Sequence, residues 1–157
     1  MKTRMFFRLL IGLLLALTVF TTSQQAKATL GESADSIESD RNILSAVRGS
    51  STVVSTYTVH EVRSETTTVR EYVSPSGVVF GIAWSGLTHP DLTSLLGSYT
   101  NEYKKALGQV QRQPGRRHVQ VKTDRVVVEK WGRMRDLQGR AYVPSLIPQG
   151  VSVDEIK

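Results

Sequence analysis

Three histidines, His60, His89 and His118, are the side chains of this chain best suited to metal or proton chemistry. None stands at ligand spacing from another His, Asp or Glu on one element, so neither a metal site nor a cofactor is expected. His60-Glu61 opens like the zinc-protease motif, but Ser64 occupies the position where the second histidine belongs. Serines are many, yet no Gly-x-Ser-x-Gly elbow marks one as a nucleophile. The chain has no cysteine, which removes thiol catalysis, Cys-ligated zinc, thioether haem attachment and lipidation at a thiol. Glu71 lies between Arg70 and Tyr72, and a single carboxylate is not the spaced pair that glycoside hydrolysis requires. Its plainer reading is a cross-strand ion pair with Arg133, Arg135 or Arg140. An enzyme would need a cleft that gathers His60, Glu71 and one of those arginines. No catalytic residue is assigned.

Binding chemistry has more material. Tyr57, Tyr72, Phe80, Trp84, Tyr99, Tyr103 and Trp131 either line an apolar pocket between sheet and helix or form an ordinary core. Arg133, Arg135 and Arg140 either line an anion site or cover a solvated hairpin face. The candidate ligand-binding residues are therefore Tyr72, Trp84, Arg133, Arg135 and Arg140.

The elements that must position these residues are strands first. Residues 52–62 are rich in β-branched side chains and read as one strand, and residues 67–73 as a second. Ser74-Pro75-Ser76-Gly77 is the clearest turn, with Pro75 preset for its second position. In the third strand, 78–84, Val78, Phe80, Ile82 and Trp84 fall on one face and Val79, Gly81 and Ala83 on the other. Two apolar faces predict a central strand, with Gly81 and Ala83 leaving room for a close neighbour. Residues 91–107 carry Leu92, Leu95, Leu96, Tyr99, Tyr103 and Ala106 at helical spacing, with Asp91 at the N-cap. Residues 119–122 and 125–135 read as further strand, joined through a bulge. Leu137-Gln138-Gly139 reads as a turn into 140–144, and the tail from Ser145 as an irregular cover. The expected fold is α+β: an antiparallel sheet of about five strands, the main helix of about 91–107 packed on one face, and a short N-terminal helix over 36–47.

The front of the chain sets the compartment. Lys2, Arg4 and Arg8 precede an apolar run over 9–20, and Ala26-Lys27-Ala28 is a small-x-small cleavage signal. The 12-residue run falls short of the roughly 20 needed to span a bilayer, so cleavage after Ala28 is favoured over a retained anchor. The domain plan is a signal peptide over 1–28, a polar entry segment over 29–51 and one α+β domain over 52–157. No further membrane span is expected. The whole chain has 20 Lys+Arg against 14 Asp+Glu, a net +6. Four of the basic residues sit in the leader, so the rest carries only +2, and a nucleic-acid partner loses its main support. That charge divides unevenly: residues 29–103 carry −5 and residues 104–157 carry +7. The basic half either balances the acidic one internally or faces an anionic partner.

Several stretches together resemble a known family. They are Thr58-Val59-His60-Glu61, the run from Val69 through Ser74-Pro75-Ser76-Gly77 to Phe80, Trp84-Ser85-Gly86, Pro90-Asp91-Leu92, Leu95-Leu96-Gly97-Ser98-Tyr99, and Gly139-Arg140-Ala141-Tyr142-Val143-Pro144. The resemblance is to a bacterial exported family catalogued as a domain of unknown function, number 2844. It implies a small exported protein and brings no catalytic residue or ligand. The resulting expectation is a non-enzymatic, periplasmic or secreted envelope module that binds a protein or envelope partner. The alternative is a small hydrophobic-ligand binder with a pocket between sheet and helix, and an enzyme ranks below both.

Overall fold

The computed structural model describes residues 29–33, 47–54, 56–111, 115 and 117–157, and the side chains of all of these except 47–49. Among them, seven strands form one antiparallel sheet: β1 (Val47–Val54), β2 (Tyr57–Arg63), β3 (Thr67–Val73), β4 (Val79–Gly86), β5 (His118–Lys122), β6 (Val127–Arg133) and β7 (Asp136–Tyr142). The order across the sheet is β1-β2-β3-β4-β7-β6-β5, which puts β4 in the middle, as its two apolar faces require. Between β4 and β5 run α1 (Leu92–Leu96), a 3-10 turn (Gly97–Tyr99) and α2 (Thr100–Gln109). Asp91 is the N-cap of α1, its side chain accepting the Thr93 amide. The helical segment bends at Gly97, whose φ of 46° lies in the left-handed region and whose missing Cβ leaves space for the Thr29 side chain.

The antiparallel sheet with a helix on one face is as expected, but its strands number seven rather than about five. The β-branched run over 52–62, expected as one strand, folds back on itself: Thr52, Val53 and Val54 end β1 and the part from Tyr57 on is β2, with Val54 opposite Tyr57. No Gly or Pro flags that reversal. Strands β5 and β6, expected to be continuous, also form a hairpin, closed by Thr123, whose hydroxyl accepts the Arg125 and Val126 amides. The expected turn at Leu137-Gln138-Gly139 is instead the body of β7. The reversal falls at Met134-Arg135, where Arg135 takes φ 68°. Gly139 serves packing: a Cβ there would lie 2.2 Å from the Trp84 ring.

The short helix expected over 36–47 and the leader over 1–28 lie outside the described residues, apart from Val47, which begins β1. The entry segment is not uniformly polar cover. Thr29 and Leu30 are 1% and 0% exposed, and Leu30 joins the main core, its amide donating to the Leu95 carbonyl.

Helices cover one face of the sheet. Leu92, Leu95, Leu96 and Tyr103 pack there on Val62, Val69, Ile82, Trp84, Val128 and Ala141. The opposite face holds Tyr57, Tyr72, Phe80 and Ala83, covered by the C-terminal stretch with its 3-10 turns Pro144–Leu146 and Val153–Glu155. Ile156 is fully buried there, its Cδ1 2.8 Å from where a Gly81 Cβ would stand. Phe80 therefore lies on the opposite face from Ile82 and Trp84, against the alternation. The register shifts between Tyr72 and Val73, leaving Phe80 as an extra residue on β4, and such a bulge turns neighbouring side chains to the same face.

Candidate functional site

One end of the sheet gathers the β2–β3 turn, the β4–α1 loop, the start of β5 and the β6–β7 turn. The register makes this plain: Thr67 pairs with Gly86, Gly86 and Gly132 both pair with Leu137, and His118 pairs with Trp131. A cleft of about 450 Å³ opens there. His89 comes from the β4–α1 loop, Arg117 from the residue before β5, Val119 from β5, Lys130 and Arg133 from β6, Met134 from the turn and Leu137 from β7. No carboxylate is among the residues that line it.

Each polar group of this cleft is set by its neighbours. The Trp84 indole N–H donates to His89 Nδ1 at 2.9 Å, and the two rings meet edge to face. With Nδ1 accepting, the neutral imidazole carries its proton on Nε2 and offers it as a donor. Burial, and then the Lys130 charge, hold the His89 pKa below its ordinary value of 6.5. The Lys130 ammonium lies 5.4 Å from the Tyr103 ring centroid, a cation–π contact that leans it on α2. Arg117 and Arg133 are exposed at the rim. The cleft therefore sets three positive charges and a hydrogen-bond donor beside apolar wall, a lining complementary in charge to an anion.

A second cleft, of about 410 Å³, lies on the opposite face between β1–β3 and the C-terminal stretch. Its groups are already committed to one another. The Tyr72 hydroxyl donates to the Lys157 carbonyl at 2.8 Å and accepts the Lys157 amide at 3.0 Å. The Tyr57 hydroxyl donates to Glu155 at 2.9 Å, and burial followed by that carboxylate pushes its pKa up to about 12. Burial opposes the ionisation of Glu61, but hydrogen bonds from Arg63 and Arg70 outweigh it and hold the carboxyl below the ordinary range.

The residues singled out from sequence do not form one site. Trp84 is 3% exposed on the helix face, where it supports His89. Arg133 lines the cationic cleft and Arg135 sits in the turn beside it. Tyr72 and Arg140 lie on the opposite face. Arg140 Nε donates to Glu129, its Nη1 donates to the Val153 carbonyl at 2.8 Å, and its guanidinium lies over Trp131 and Tyr142. Glu71 is 1% exposed, with His60 and Ile82 as its register neighbours, so β4 separates it from Arg140 on β7, and β4 and β7 together from Arg133 on β6. His60, Glu71 and Arg140 are not gathered in one cleft: by strand periodicity His60 shares the helix-facing side with Val62, and Glu71 with Val69 and Val73, whereas Arg140 is on the other side.

Sequence reasoning missed His89, Arg117 and Lys130 as site residues. They come from three elements whose adjacency depends on the 1-2-3-4-7-6-5 order; the excess of positive charge after residue 103 pointed to Arg117 and Lys130, and no charge signal pointed to His89. Among the described residues no group of three His, Asp or Glu is placed to hold a metal ion, and no helix is long and apolar enough to cross a membrane. A family model described as Protein of unknown function (DUF2844) matches residues 26–156. Neither a curated protein nor a solved structure matches the chain.

Proposed function

The chain belongs to the DUF2844 family of proteins of unknown function, and from that premise we propose that it is an exported, non-enzymatic module that binds an anionic component of the bacterial envelope. One observation carries the reading: the 450 Å³ cleft at the β5–β6–β7 end, where His89, Arg117, Lys130 and Arg133 converge without a carboxylate. The charged leader, apolar run and Ala26-Lys27-Ala28 signal support a periplasmic or secreted location with cleavage after Ala28. The uneven charge supports the anionic partner, since the cleft draws its cations from the half of the chain that carries the surplus. A hydrophobic-ligand role has less support, because Leu95, Leu96 and Tyr103 occupy the space between helix and sheet.

The test is charge reversal at the rim. Arg117→Glu/Arg133→Glu is compared with Lys104→Glu/Lys105→Glu on α2, two exposed lysines outside the cleft. The fraction of exported chain that sediments with the envelope is followed through a salt wash. The rim variant is expected to release at low salt while the α2 variant behaves as the natural chain. Equal release of both variants would reject the cleft as the binding site.

A further inference from the structure

The same end of the sheet carries a second kind of group. Met134, at the tip of the β6–β7 turn, is 92% exposed, and Leu87, in the β4–α1 loop, is 53% exposed. Met134 stands between Arg133 and Arg135, and Arg117 and Lys130 lie along the adjoining cleft. The carboxylates at this end are Glu65 in the β2–β3 turn, Asp91 in the β4–α1 loop, which accepts the Thr93 amide as N-cap of α1, and Asp136, which accepts a hydrogen bond from Gln138. Arg63 is held by Glu61 and does not add to the surplus. The end therefore presents a protruding apolar tip flanked by guanidinium groups over a cationic cleft.

From this we infer that the β6–β7 end docks the protein peripherally on an anionic lipid surface, with Met134 among the headgroups and lipid phosphate in the cleft against Arg117, Lys130 and Arg133. The inference rests on the envelope-binding reading and names its partner. A guanidinium engages phosphate through two parallel N–H donors, which suits the rim position of Arg117 and Arg133. A methionine flanked by arginines on a two-residue turn is costly to leave in water, but fits the boundary between headgroup and acyl chain, where apolar and cationic contributions add. Charge alone would hold the protein weakly and fail with salt. The exposed tip supplies the part that salt does not screen.

The experiment uses the chain recovered after export, with vesicles of phosphatidylcholine alone and of phosphatidylcholine containing phosphatidylglycerol. Co-flotation is expected with the second only. Each cation removed near an anionic surface lowers partitioning about fivefold, so Arg117→Gln/Arg133→Gln is expected to lose about 25-fold. Arg125→Gln, at the opposite end of β6, is expected to change nothing. Met134→Ser, which alters only an exposed turn side chain, is expected to weaken binding further at high salt. With Met134→Trp, the indole emission is expected to shift to the blue on the anionic vesicles. Equal flotation with both vesicles, no flotation with either, or full displacement by millimolar inorganic phosphate would each overturn the inference, the last by assigning the cleft to a soluble anion. Loss of vesicle binding with retained, rim-dependent envelope sedimentation would overturn the lipid assignment and leave the envelope-binding reading standing.

Discussion

Replacing Trp84 with alanine probes the link between core and cleft. The indole is 3% exposed, lies against the backbone of Gly139 and donates to His89. A tryptophan buries about 150–250 Å², and at about 25 cal/mol per Å² its removal from the core forfeits about 4–6 kcal/mol. Compactness of the unfolded chain reduces that figure, and measured Trp-to-Ala costs centre on about 3–5 kcal/mol. Gly139 has no side chain that could move into the void, so Trp84→Ala belongs at the upper part of that range. A loss of that size is a large part of the total stability of a domain this small. Denaturant unfolding followed by far-UV circular dichroism measures it, since Trp131 alone would remain as a fluorophore. Trp84→Phe keeps most of the apolar contact but removes the donor to His89, and separates the two contributions. A loss under about 1 kcal/mol for Trp84→Ala would refute the placement of the indole in the core.

Gly139→Ala is expected to cost about 1–3 kcal/mol or more by overpacking, because its Cβ would meet the Trp84 ring at 2.2 Å and the Glu129 carbonyl at 2.6 Å; thermal unfolding reads it, and an unchanged midpoint would contradict the close packing. Arg140→Ala is expected to cost about 3 kcal/mol, because it leaves the Glu129 carboxylate, whose side chain is 9% exposed, with the Gln120 amide as donor but without its cation. Arg140→Ala/Glu129→Gln should recover part of that loss, and hydrogen exchange at Ile156 should quicken in the single variant as the Val153 contact goes. The Tyr57 hydroxyl holds its proton more tightly in the folded chain, with a pKa of about 12 against 10.0. The stability it contributes is complete below pH 10 and lost as pH rises from 10 towards 12, and Tyr57→Phe is expected to flatten that part of the stability–pH curve.

What was legible in the sequence was local. Asp91 and the spacing of Leu92, Leu95 and Leu96 announce a helix because capping and amphipathicity are encoded within a few residues. Ser74-Pro75-Ser76-Gly77 announces its turn, and Gly77 indeed takes φ 80°. The misread elements depend on contacts between distant residues. Gly139 resembles a turn glycine, but its lack of a side chain serves Trp84, 55 positions earlier. Phe80 follows a simple alternation in the sequence and crosses to the other face at a bulge defined by pairing with β3. The β1–β2 reversal carries neither Gly nor Pro, so the β-branched run conceals it. The cationic cleft was visible only as a charge imbalance, because His89, Arg117 and Lys130 meet through the placement of β7 between β4 and β6.

Envelope binding through the cationic cleft requires that the β6–β7 end be the face that meets the envelope. A photo-crosslinking residue placed at Met134, and in a separate chain at Ser76 in the turn at the opposite end of the sheet, tests this in intact cells. Covalent adducts with envelope components are expected from position 134 and not from position 76. Adducts of equal yield from both positions, or from position 76 alone, would contradict it.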